Sequence, residues 1–154
     1  MLEILKIMNE LSFENKISKI LTCNEVSSCY GVILKREDVE AILQTQKIVL
    51  YEVGRLEFEG TIIEQIIYAF CDSLFITKYE YVEIIHRLVE IFYCYKAEID
   101  EEMMDEEIIE YMKRSFDGPC QGSFDWLEDH QLTHLLESLE ENKDIYEDEE
   151  YGYF

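Results

Sequence analysis

The sequence predicts an all-α domain of five to seven helices packed around a central helix at about 78–97. One Pro and six Gly in 154 residues are few turn-forming residues for an all-β protein and favour long helices. Hydrophobic residues make up 48% of the chain and aromatic residues 13%, which is enough for a sizeable core. A chain of this length needs neither a metal nor a disulfide to fold.

Apolar residues at helical spacing predict the helices of the first third of the chain. The first helix is expected near 2–11, and the pattern continues over 17–21 after a possible cap at Ser12. The turn-rich segment 22–31 is expected to be a loop. The next helix should run from Arg36 to Val53.

Gly54 is the residue type favoured after a helix C-terminus, so it should end that helix. The segment RLEFEG, residues 55–60, alternates strictly and could pair as a short strand, but it is too brief to found a sheet. The next two helices should start at capping boxes, Thr61 with Glu64 and Thr77 with Glu80. The helix from 78 is apolar around nearly its whole circumference, which predicts the central position.

The last third predicts further helices and a corner between them. Asp105 is a plausible N-cap, and the helix after it should end at Gly118. Residues 115–126, SFDGPCQGSFDW, hold the only Pro and the only Trp, and Ser123 should cap the next helix, with another start at Asp129. We expect the aromatic residues of this corner to be buried. They are Phe116, Phe124 and Trp126.

The final residues, EENKDIYEDEEYGYF, are strongly acidic with aromatic interruptions. We therefore divide the chain into a helical domain, 1–140, and an acidic C-terminal tail, 141–154. Acidic tails are usually disordered, but aromatic side chains can act as anchors on a partner. The predicted partner-binding residues are Tyr146, Tyr151, Tyr153 and Phe154.

The net charge of −22 narrows the class of partner. Residues 1–50 contain 7 acidic and 6 basic residues, a net charge of −1. Residues 51–100 contain 10 acidic and 4 basic residues, a net charge of −6. Residues 101–154 contain 18 acidic and 3 basic residues, a net charge of −15. Direct nucleic-acid binding is disfavoured because it depends on Lys and Arg that neutralise phosphates. Anionic membranes are disfavoured for the same reason, and no apolar run is long enough to span a bilayer.

Five scattered cysteines without a C-x-x-C pair indicate free thiols in a reducing cytoplasm. One of them, Cys120, could have a lowered pKa beside a helix N-terminus and act as a nucleophile. His130 and His134 lie four residues apart in HQLTH, but Gln131 stands where a zinc hydrolase needs Glu, which excludes a metalloprotease. A plain metal site on Cys120, His130 and His134 is a weak alternative to two surface histidines and a structural thiol. We predict no cofactor.

Four segments resemble the pattern of a small family of uncharacterised helical proteins from Firmicutes. The resemblance spans roughly residues 30–140 and implies no catalytic or binding residue. The segments are GRLEFEG (54–60), FCDSLFI (70–76), IFYCYKAEID (91–100) and DEEIIEYMKRSFDGPCQGSFDWL (105–127).

The sequence as a whole favours a non-enzymatic protein–protein interaction module that binds a basic or mixed-charge partner through an acidic surface. One alternative is an acidic DNA mimic that occupies the basic groove of a nucleic-acid-binding protein. A second is a metal-binding or cysteine-dependent enzyme built on Cys120, His130 and His134. A mimic needs rows of carboxylates, an adaptor needs an exposed apolar patch, and the enzyme needs its three side chains to converge.

Overall fold

A computed structural model describes residues 2–52, 61–99 and 102–151, with side chains described through residue 141. Within these ranges six helices of nine residues or more form and no strand occurs, which confirms the predicted all-α fold. The helices are α1 (Leu2–Thr22), α2 (Asn24–Ser27), α3 (Arg36–Glu52), α4 (Ile62–Phe70), α5 (Tyr81–Ile99), α6 (Asp105–Asp117) and α7 (Leu132–Tyr151). A 3₁₀ turn, Ser28–Tyr30, follows α2, and a π-helical segment, Trp126–Gln131, leads into α7.

Helix α5 is the centre of the bundle. It packs against α3, α4, α6, α7 and the π-helical segment. A helix that is apolar on most of its circumference must be covered on several sides, and this helix buries ten of its residues. The central helix predicted at 78–97 is therefore present, shifted by a few residues to 81–99.

Helix α1 is continuous where the sequence indicated a possible cap at Ser12. Only its C-terminal part joins the core, through Ile17 and Ile20. The segment 22–31 is not a plain loop, because α2 and the 3₁₀ turn fill most of it before Gly31 reverses the chain at φ +79°.

The two predicted capping boxes are wrong. Thr61 is the N-cap of α4, but its hydroxyl accepts a hydrogen bond from the Gln65 side chain at 2.9 Å and makes no cap bond to the backbone. Residues 78–80 form a turn, so α5 starts one turn later than Thr77 requires, and its first backbone bond runs from the Ile84 N–H to the Glu80 carbonyl. The N-cap of α6 is Met104, one residue before the predicted Asp105.

Residues 115–126 form the predicted corner between two helices. The Cys120 N–H donates to the Ser115 carbonyl and the Gly122 N–H to the Phe116 carbonyl, both at 2.9 Å. The Ser123 hydroxyl accepts from the Trp126 N–H at 3.3 Å, as an N-cap does. The corner therefore holds itself together by local backbone bonds.

The aromatic residues of the corner differ in burial from the prediction. Phe116 is fully buried and Phe124 is half-buried, but Trp126 is 45% exposed. Leu127 occupies the core position instead, and because neighbouring residues of a helix point in different directions, Trp126 is turned toward solvent. Its ring packs on His130, with 4.1 Å between ring centroids.

Helix α7 continues past residue 140, where the predicted tail begins, as far as Tyr151. The division into 1–140 and 141–154 remains a prediction. The predicted helix stop at Gly54 and the short strand at 55–60 lie outside the described residues.

Candidate functional site

The corner does not bring the predicted metal or nucleophile candidates into one site. Cys120 is buried beneath the corner, whereas His130 and His134 are both exposed. His130 is covered on one ring face by Trp126. Within residues 2–52, 61–99 and 102–151, no three His, Cys, Asp or Glu side chains are grouped so that they could hold a metal ion.

The protonation chemistry of Cys120 is opposite to that of an activated nucleophile. Burial raises the pKa of its thiol to about 11, because the charged thiolate is poorly solvated inside the fold. A nucleophilic cysteine needs a lowered pKa and a nearby base. The raised pKa argues against the alternative in which Cys120 is a nucleophile and agrees with the preferred interpretation of a structural thiol.

A groove of about 540 Å³ lies between the C-terminal half of α3 and the facing part of α5. Its apolar surface includes Ile48 and Val49 from α3 and Cys94 and Ala97 from α5. The space exists because short side chains on α5 face α3 there, while Ile48 is left half exposed. We call this feature the acidic groove, because its remaining lining residues are Thr45, Glu52, Glu90 and Glu98.

Polar bonds between α3 and α5 fix one end of the acidic groove. The Thr45 hydroxyl is hydrogen-bonded to the Nδ1 atom of His86 at 2.7 Å. The side-chain amide of the next residue, the buried Gln46, donates to the Tyr93 hydroxyl at 2.9 Å. Since buried polar pairs of this kind specify one alignment of two helices, the groove has a fixed shape.

The carboxylates of the acidic groove are poorly neutralised. Glu90 has Arg87 at 3.6 Å, but neither Glu52 nor Glu98 forms an ion pair with any described residue. Burial first, and then the carboxylates of Glu128 and Glu98, raise the pKa of the Cys94 thiol at the groove wall. The same negative field that disfavours a thiolate there favours a cation.

A second unusual surface is the N-terminal arm, residues 2–13 of α1. All seven of its large apolar side chains are between 42% and 84% exposed. They are Leu2, Ile4, Leu5, Ile7, Met8, Leu11 and Phe13. Exposed apolar patches larger than a few hundred Å² usually mark an interaction surface in a protein without a membrane segment.

The largest apolar face of the arm is not a continuation of the face by which α1 joins the core. Ile4, Ile7, Met8 and Leu11 follow the i, i+3, i+4, i+7 spacing of a single helix face. The buried Ile20 is nine residues after Leu11, about two and a half helical turns, and so it points to the opposite side of α1. The protein's own core therefore cannot cover this face.

The predicted C-terminal anchors are only partly within the described structure. Tyr146 and Tyr151 lie on α7, while Tyr153 and Phe154 lie outside the described residues. Their role in partner binding remains a prediction.

The fold and its surfaces define a helical, strongly acidic protein with an acidic groove and an apolar arm. A family model matches residues 19–145, and the chain belongs to this family, the family of unknown function DUF6323. The match is consistent with the uncharacterised family that the sequence segments indicated, and it extends beyond the expected span of 30–140. Neither the curated proteins nor the solved structures contain a match to the chain. None of the described helices is long and apolar enough to cross a membrane.

The sequence revealed the residues of both surfaces but not their exposure. The apolar spacing within 2–11 predicts a helix without indicating that its apolar side chains are exposed, and no sequence pattern singles out Glu52, Glu90 or Glu98. One signal could have marked the arm: apolar side chains occupy most of the circumference of residues 2–13, and only Glu3, Lys6 and Glu10 form a charged stripe.

Proposed function

We propose that this protein is a non-enzymatic protein–protein interaction module that binds a basic or mixed-charge segment of another protein in the acidic groove. The observation that carries the proposal is the combination of an apolar floor with two carboxylates, Glu52 and Glu98, that have no ion-pair partner in the described structure. An apolar side chain of the partner would contact Ile48 and Ala97, and a flanking Lys or Arg would meet the carboxylates.

The chemistry of the groove suits recognition better than catalysis. Charges of one sign raise the rate of encounter with an oppositely charged segment, while apolar contacts set the residence time. The net charge of −22 extends the attraction over the whole surface and repels acidic competitors. The aromatic residues predicted as anchors, Tyr146, Tyr151, Tyr153 and Phe154, would add contacts outside the groove.

The DNA-mimic alternative is less well supported. A mimic presents rows of carboxylates to a basic groove, whereas the acidic groove is a concave surface with an apolar floor. It would take up a protruding segment and would not enter a partner's cleft.

The direct test uses labelled peptides with fluorescence anisotropy. The probe is a short peptide that alternates Leu and Lys, and the comparison peptides replace either all Lys or all Leu by Gln. The Leu–Lys peptide should bind most tightly, and its affinity should fall as salt rises, because surface charges are screened beyond about 8 Å at physiological ionic strength.

Variants of the groove separate this site from the overall charge. The double variant Glu52→Gln/Glu98→Gln should weaken binding about 2- to 30-fold, since it removes two charge pairs and each exposed pair contributes about 0.2–1 kcal/mol. Ala97→Leu should weaken binding without a change of charge, because it fills the floor. The matched control is Glu106→Gln/Glu137→Gln, which removes two exposed carboxylates elsewhere. Equal weakening by the control would show that only total charge matters, and the acidic groove would be wrong.

We also propose a cytoplasmic location and an origin in Firmicutes. All five cysteines are free, which fits a reducing compartment. The origin follows only from the sequence resemblance, and the location can be checked by fractionation of the source cell with an antibody to the protein.

A further inference from the structure

The N-terminal arm does not line the acidic groove, which is formed by α3 and α5. Its seven exposed apolar side chains need a partner that covers them. We propose that this partner is a second copy of the chain, and that two arms pack against each other to form a dimer. Three features of the arm support this choice of occupant: its area, its charge and its position.

The area of one apolar face of the arm reaches what a specific dimer needs. The exposed parts of Ile4, Ile7, Met8 and Leu11, with Leu5 beside them, present on the order of 500 Å² per copy, and two copies together reach the roughly 1,000 Å² expected of a specific interface. The face formed by Ile4, Ile7, Met8 and Leu11 would form the centre of the contact. Leu5, which lies about 60° around the helix from Met8, would be covered at the edge of the contact by the partner copy.

The charge of α1 makes it the place where two acidic molecules can approach. The helix carries three acidic residues and three lysines, so its net charge is zero in a protein of −22. Glu3, Glu10 and Glu14 are balanced by Lys6, Lys16 and Lys19. Every other described helix of nine residues or more has a net negative charge, so a contact through any of them would cost more repulsion.

The position of the arm allows the two bodies to stay apart. The first core residue of α1 is Ile17, so residues 2–13 extend beyond the packed part of the bundle for about 18 Å, at 1.5 Å per residue. An antiparallel pair of arms would place the two bodies at opposite ends. That separation exceeds the screening length of about 8 Å at physiological salt. A twofold contact of this kind is closed and leaves both acidic grooves open.

Analytical ultracentrifugation of the full chain tests the proposal. The protein should sediment as a monomer of 18.4 kDa at low concentration and as a species of twice that mass at high concentration. Raising the salt concentration should strengthen the dimer, because it screens the repulsion between the bodies while the apolar contact persists. This response is opposite to that expected for a peptide in the acidic groove.

Variants of the arm should dissociate the dimer and leave the fold intact. Met8→Glu and Leu11→Glu place a charge in the centre of the contact, on side chains that are about 60% exposed in the monomer. Ile33→Glu is the matched control, since Ile33 is 54% exposed but lies outside the arm. Circular dichroism should show the same helix content in all three variants.

Two results would overturn the dimer. A wild-type protein that stays monomeric at high concentration and high salt would show that the arm serves another partner. Met8→Glu and Leu11→Glu proteins that dimerise like the control would show that the interface lies elsewhere. Neither result affects peptide binding in the acidic groove, so the two proposals can fail separately.

Discussion

The corner of residues 115–126 should depend on Phe116 and not on Trp126, the only tryptophan. Phe116 is fully buried, and its ring lies edge-on to Phe70 at 5.6 Å and to Phe75 at 6.2 Å and tilted on Phe124 at 5.4 Å. Phe116→Ala should therefore cost about 3–5 kcal/mol in the free energy of unfolding. Trp126 is 45% exposed, and among the aromatic rings of the described residues it packs on His130 alone, so Trp126→Ala should cost about 1 kcal/mol.

Urea denaturation and thermal unfolding, both followed by circular dichroism, measure this difference. In the thermal experiment Phe116→Ala should lower the midpoint by about 6–20 °C, because a chain of this size loses about 2–4 °C per kcal/mol. If that variant does not fold, Phe116→Leu should still show a clear loss. Native Trp126 fluorescence should also be quenched readily by acrylamide. Equal costs for Phe116→Ala and Trp126→Ala, or a native Trp126 protected from acrylamide, would refute this reading of the corner.

Two further predictions concern the same region and the thiols. Gly122→Ala should lower the free energy of unfolding by about 1–3 kcal/mol, because φ is +81° and the new Cβ would lie 2.8 Å from an atom of Phe75. Gly31→Ala should lower it by only about 1–2 kcal/mol, because φ is +79° but no atom lies within 4 Å of the new Cβ. Urea denaturation midpoints of the two variants measure the difference. Iodoacetamide at neutral pH should modify the exposed Cys29 before the buried Cys120, and peptide mapping that finds Cys120 modified first would restore the nucleophile. Burial raises the pKa of the Cys120 thiol from 9.0 to about 11. The neutral thiol therefore stabilises the fold below pH 9, and this contribution is lost as the pH rises through 11. Cys120→Ala should accordingly reduce the fall of the urea midpoint between pH 9 and pH 11.

The existence of the long helices could be predicted from the sequence because their apolar periodicity is strong. The buried face of α6, formed by Ile108, Ile109, Met112 and Phe116, was readable residue by residue. Helix starts were less readable, because a Thr three residues before a Glu describes a capping box only if the backbone turns there. At Thr77 the turn continues for three more residues before α5 begins.

The two proposed surfaces could not be predicted because they depend on the relative placement of helices. The acidic groove needs α3 and α5 to lie side by side, and sequence spacing does not fix that contact. The arm needs a helix whose apolar residues find no neighbour, and the same residues inside a bundle would look identical in sequence. Trp126 shows the same limit, since its exposure is decided by Leu127 taking the core position.

The central claim is that the acidic groove binds a basic segment. The most direct test is chemical-shift mapping, by NMR, of the isotope-labelled protein with the Leu–Lys peptide. The largest changes should fall on backbone amides of α3 and α5 around Ile48, Glu52, Cys94 and Ala97. They should shrink in the Glu52→Gln/Glu98→Gln variant and persist in Met8→Glu. Changes confined to the N-terminal arm or to α7, or changes of equal size over the whole acidic surface, would contradict the claim.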